Sequence, residues 1–165
     1  MVLGLCLTLL GRHDEAVREL ATSLQISPSF ALGHAVYGEV LMRAGRFDAA
    51  VEETSKAFRL SPNDSFSSFY QLVHGLALLS SGRFAEALPN LQKALVAFPE
   101  IPRQYTVLIS CYGHLGRTDE VPALLARRNT LGPPLTVSLI RQQLRHFPLG
   151  PVIAEGLAKA GVPES

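Results

Sequence analysis

Four Gly-Arg dipeptides recur along the 165-residue chain, at Gly11-Arg12, Gly45-Arg46, Gly82-Arg83 and Gly116-Arg117. Their spacings are 34, 37 and 34 residues, and Pro28, Pro62, Pro99 and Pro133 repeat with the same three spacings. Two independent markers in one register mean that the chain is built from copies of one short unit. A unit of that size cannot bury an apolar face alone, so the copies must stack on one another. The residues around the glycines agree: 4–16 reads GLCLTLLGRHDEA, 38–50 reads GEVLMRAGRFDAA and 75–87 reads GLALLSSGRFAEA.

Each unit reads as two helices. Leu, Ala, Val and Met recur at i, i+3 and i+4 on both sides of the Gly-Arg, which is helical periodicity. The glycine ends the first helix as a left-handed cap. Asp14, Asp48, Glu86 and Asp119 follow in the first turn of the second helix, where the helix dipole favours an acid. Proline stops that second helix, because the residue before it avoids helical angles. The expected boundaries are 1–28, 29–62, 66–99 and 100–133, with 134–165 left over. The three extra residues fall in NDSFSS, where Asn63, Asp64 and Ser65 offer caps and should lengthen one connection.

Small and aromatic residues have positions of their own. Gly38 and Ala50 are expected where the two helices of a unit cross, as are Gly75 and Ala87, with Gly4 and Ala16 matching them in the first unit. Phe47 and Phe84 lie just after the turn, where a ring can fill the gap; His13 and Thr118 hold that slot in the outer units. On these residues the chain resembles the tetratricopeptide repeat family over 1–133. The resemblance implies an all-α, right-handed superhelix of stacked antiparallel helix hairpins. The fourth unit departs from the pattern, with Ile109, Val121 and Arg128 at positions that are small elsewhere, so it should pack less regularly. Pro122 is tolerated in a first turn, whereas Pro89 lies deeper and should kink its helix.

The register also explains the apolar opening, MVLGLCLTLL. A secretory signal wants basic residues first, and here the first is Arg12. A membrane span needs about 20 apolar residues, and this run stops at Leu10. The stretch is instead what remains of a first helix, apolar on every side, as in a helix buried all round. It calls for a cover: an upstream domain of a longer polypeptide, or self-association through residues 1–10.

Composition excludes several function classes. Lys plus Arg is 15 and Asp plus Glu is 14, without a basic stripe, so nucleic acid is not an expected partner. Cys6 and Cys111 sit three units apart, too far for a bridge if the units stack; they read as free structural thiols in a reducing, cytoplasmic compartment. There is no phosphate loop, HExxH, GxSxG or zinc spacing, and the five histidines are scattered. No catalytic residue, cofactor or metal is expected.

What is expected is a protein or peptide partner. The family resemblance implies that first helices line a concave face. Here that face would comprise Leu32, Ala35, Glu39 and Met42, then Phe69, Leu72, Leu76 and Leu79, then Arg103, Thr106, Ser110 and His114. A clamp for a terminal carboxylate, known in this family, would need Lys, Arg and Asn, and only Arg103 and Arg43 are basic. The third-unit strip is apolar: either a groove for an apolar partner helix or ordinary core between units.

After Pro133, TVSLIRQQLRHF is amphipathic and PVIAEGLAKA starts at Pro151; both are expected as helices covering the end of the array. Phe147-Pro148 and Glu155-Gly156-Leu157 through Gly161-Val162-Pro163-Glu164 resemble the C-terminal end of certain bacterial multidomain proteins. In those, such repeats follow a class III adenylate or guanylate cyclase domain or a winged-helix domain. That likeness implies a non-catalytic scaffold within a larger signalling protein; a stand-alone, self-associating adaptor is the alternative.

Overall fold

A computed structural model describes residues 2–61 and 65–165. Asn63 and Asp64, two of the expected caps, lie outside the described residues. The described residues form an all-helical chain: α1 (Val2–Leu9), α2 (His13–Ile26), α3 (Ala31–Arg43), α4 (Phe47–Leu60), α5 (Ser67–Ser80), α6 (Phe84–Ala97), α7 (Pro102–His114), α8 (Val121–Thr130), α9 (Val137–Gln143) and α10 (Gly150–Lys159). α1 to α8 pair as successive hairpins, and each second helix also packs on the first helix of the next pair.

The hairpin turn is one motif used four times. Gly45 takes φ +73°, its N–H donates to Met42 O at 3.1 Å, and Arg46 N–H donates to Leu41 O at 2.8 Å. These two bonds satisfy carbonyls left over at the end of α3. Gly11, Gly82 and Gly116 repeat the arrangement, and Gly161 ends α10 the same way. The arginine after each glycine then reaches an acid: Arg12 pairs with Glu15 at 2.6 Å, Arg83 with Glu86 at 2.6 Å, Arg117 with Glu120, and Arg46 with Asp14 of the preceding hairpin at 2.9 Å.

Close helix approach sets the core. A Cβ on Gly38 would lie 2.3 Å from Thr54 Cγ2 and 3.2 Å from Ala50 O; on Gly4 and Gly75 it would meet Leu20 and Leu91 side chains. Ala16, Ala50 and Ala87 are fully buried, while Phe47 and Phe84 pack half-buried against the core. The fourth hairpin is built differently: Ile109 and Val121 are buried in place of small residues. A 3-10 turn over Thr118–Glu120 precedes α8. Pro122 sits in the first turn of α8, and α6 runs through Pro89 as one helix.

Candidate functional site

The C-terminal helices turn back onto α7, the first helix of the fourth hairpin. α10 packs on α7 and α9. Two glycines make that contact close. A Cβ on Gly113 would lie 1.9 Å from Gly156 O and 2.7 Å from Ala160 N, and one on Gly156 would lie 2.4 Å from Ser110 O. His114 Nε2 meets Val152 O at 2.8 Å while its ring stacks on Phe84 with centroids 4.0 Å apart. The strand of chain between α9 and α10 reaches back to the second hairpin: the Arg43 guanidinium lies 5.1 Å over the Phe147 ring. The far end is pinned by Val137 N–H donating to Pro163 O at 2.9 Å and Ser138 N–H to Glu164 O at 3.0 Å.

Between this returning segment and α3, α5, α7 and the end of α8 lies a cleft of about 440 Å³. Its lining is largely apolar, with Met42, Leu76, Val107, Leu131, Ile140 and Ile153 among it. Three guanidinium groups also line it, and their partners differ. Arg43 pairs with Glu39 at 3.2 Å. Arg103 is exposed and, among the described residues, has no ion pair. Arg128 is 6% exposed; its Nη1 donates to Pro133 O, and its Nε is buried without a partner. No carboxylate among the described residues pairs with it, and burial pushes its pKa below the ordinary arginine value.

The residues expected on a concave face divide four ways. Glu39, Met42, Leu76, Arg103 and Thr106 come together in the cleft wall. Leu72 and Leu79 pack in the main core, and Leu32, Ala35 and Phe69 gather around the fully buried Tyr70. Ser110 and His114 lie against α10. Of the third-unit leucines, Leu72 and Leu79 are packed between helices, where neighbouring hairpins receive them, while Leu76 also reaches the cleft. Arg128 and Phe147 belong to the cleft and were absent from the expected face. The signal for Arg128 was present: a charged residue at a position held by Ala57 and Ala94 in other units.

His34, His74 and Cys111 are engaged within the fold. His34 is buried, with Nδ1 2.7 Å from Glu53 Oε2 and Nε2 2.9 Å from Pro28 O. His74 Nδ1 lies 2.8 Å from Thr54 Oγ1, and burial, with a smaller push from Arg83, holds its pKa below the usual histidine value. Cys111 is buried, its thiol pushed up to about 12 by burial, whereas Cys6 is exposed and so differs from the buried thiol expected. Among the described residues no group of three His, Cys, Asp or Glu could hold a metal ion, and no helix is long and apolar enough to cross a membrane.

Comparison with known proteins bears on the fold and family. No match was found among curated proteins. Among solved structures, the crystal structure of MamA shares 20% identity, with 97% of this chain and 93% of that one covered and a TM-score of 0.71. A MamA fragment from Desulfovibrio magneticus RS-1 shares 21% identity, covering 96% and 89% at a TM-score of 0.69. A tetratricopeptide repeat protein from Parabacteroides merdae shares 15%, covering 96% and 68% at 0.63. At these identities the likeness is one of fold. The tetratricopeptide repeat family model matches residues 10–65 and 72–128, more than half the sequence. The repeat register, the glycine-capped hairpins and this match together show that the chain belongs to the tetratricopeptide repeat family, whose stacked helix pairs serve as protein-interaction scaffolds.

Proposed function

We propose that this array is a non-catalytic scaffold within a larger bacterial signalling polypeptide, cytoplasmic and attached to a cyclase-like or transcription-regulator domain, and that α1 is where it meets that domain. The observation that supports this reading is the exposure of α1 and its end: Leu3 is 55% exposed, Leu9 89% and Leu10 70%. Burying one such side chain contributes about 1.5–3 kcal/mol, so a cover for this edge is strongly favoured. The likeness of residues 147–164 to the ends of cyclase-linked and winged-helix-linked repeat proteins points the same way. A second reading has two copies covering each other through α1, which carries no charged residue along VLGLCLTL and so meets no like-charge repulsion across a two-fold.

Two measurements separate these readings. An immunoblot of the native protein with antibody against residues 45–133 should show a band several times heavier than the 17.9 kDa of this chain. Light scattering on the isolated chain should then report one copy. A 17.9 kDa band, with a dimer that Leu9→Glu and Leu10→Glu convert to monomer, would reject the first reading in favour of the second.

A further inference from the structure

We infer that the cleft between α3, α5, α7 and the returning C-terminal segment is a binding site for a small amphipathic carboxylate, its anionic head drawn to Arg128 and Arg103 and its apolar tail among Met42, Leu76, Ile140 and Ile153. The site is separate from α1 and does not depend on what α1 contacts.

Three observations carry it. The first is an unbalanced charge. Arg128 is 6% exposed and, among the described residues, makes one hydrogen bond, to a backbone carbonyl, and leaves Nε without a partner. A buried charge that meets no opposite charge is costly, and proteins ordinarily pair it. The repeat itself does not call for a guanidinium here, since the other units carry the small residues Ser23, Ala57 and Ala94 at this position. The second is the electrostatic balance of the walls. Arg43, Arg103 and Arg128 face one carboxylate, Glu39, which Arg43 already engages, so the cleft presents positive charge. The third is size and lining. About 440 Å³ of mainly apolar space with a few convergent polar groups falls within the ~300–1,000 Å³ of small-molecule sites. A head without a tail would leave the apolar walls wet, and a tail without a charged head would leave Arg128 unpaired. A carboxylate on a short hydrocarbon chain answers both, and the planar guanidinium suits a carboxylate.

The test is calorimetric titration of the full chain with decanoate, with 1-decanol and decyltrimethylammonium as neutral and cationic controls. Saturable binding of one decanoate is expected, with the neutral and cationic chains at least about tenfold weaker, because charge-assisted hydrogen bonds to the head are lost. Arg128→Met should weaken decanoate by roughly tenfold or more and Arg128→Lys by less. Arg103→Gln, at an exposed position where folding is not at stake, should weaken it by several fold. Circular dichroism melts check that Arg128→Met is folded; if it is not, the Arg103→Gln result and the head-group comparison decide. Equal binding of decanol and decanoate, no saturable binding, or indifference to Arg103→Gln would each overturn the proposal. So would displacement of decanoate by a short peptide bound far more tightly than any fatty carboxylate, which would make the site a peptide groove.

Discussion

Replacing Gly113 by Ala tests whether α10 sits where the structure places it. The residue is inside α7, with ordinary helical backbone, so the added methyl by itself favours folding by up to about 1 kcal/mol through helix propensity. Against this, the new Cβ would lie 1.9 Å from Gly156 O, 2.7 Å from Ala160 N and 2.9 Å from Ala160 Cβ. Ordinary contact begins near 3.4 Å, so the overlap with Gly156 O is about 1.5 Å. Two of the three obstacles are backbone atoms of α10 and its C-terminal cap, which cannot rotate out of the way. Overpacking costs about 1–3 kcal/mol, and a rigid obstacle belongs at the upper end. The net expectation is a loss of ~2 kcal/mol, or roughly 4–8 °C in melting temperature for a chain of this size. Gly75→Ala is the control. It sits at a different close approach, that of α5 and α6, and meets side chains only, chiefly Leu91 at 2.8 Å, so it should be near neutral. The assay is urea and thermal unfolding followed by far-ultraviolet circular dichroism, with amide hydrogen exchange to localise the loss. Amides of α10 and α9 should lose protection while those of α3 and α4 keep theirs. A Gly113→Ala protein as stable as the parent, with α10 still protected, would refute the packing argument, and the cleft would lose its back wall.

Three further outcomes follow from single residues. Gly82→Ala meets no atom within 4 Å yet must hold φ +76°, so its cost of about 1–2 kcal/mol is purely conformational; an unchanged urea midpoint would contradict the left-handed cap. His74 is held below the usual 6.5 mainly by burial and then by Arg83, against Glu86. The unfolded chain therefore binds the proton first, and stability should fall as pH drops from about 6.5 toward the folded-state value. In His74→Gln part of that acid sensitivity should vanish, and an unaltered pH profile of the urea midpoint would count against it. Ellman's reagent should modify Cys6 in the native protein and reach Cys111, whose thiol is pushed up to about 12 by burial, only in denaturant; two thiols reacting natively would show that α7 opens readily.

Much of the architecture could be read without coordinates because its signals are local. A glycine at φ +73°, such as Gly45, needs no tertiary contact to prefer that conformation, and the arginine that follows finds its acid three residues on in three of the four turns. Period and proline positions mark the hairpins for the same reason. The strip Phe69, Leu72, Leu76 and Leu79 was ambiguous because an apolar helix face looks alike whether it meets solvent or the next hairpin. Contacts between hairpins divide the strip: Leu79 is fully buried and Leu76 reaches the cleft wall.

The sequence by itself determined the repeat, the helix pairs, the glycine caps and the small-residue crossings, since each depends on residues within one unit and backbone preferences that act there. Only the tertiary structure decided where the last two helices go. Gly113 and Gly156 are separated by α8 and α9 along the chain, and nothing local says that their backbones touch. Once they do, Ser110 and His114 are covered, Phe147 is carried to Arg43, and Arg128 lines an apolar cleft with no counter-charge among the described residues. Close approach across a long sequence separation is a property of the whole packed chain, and so is the site it makes.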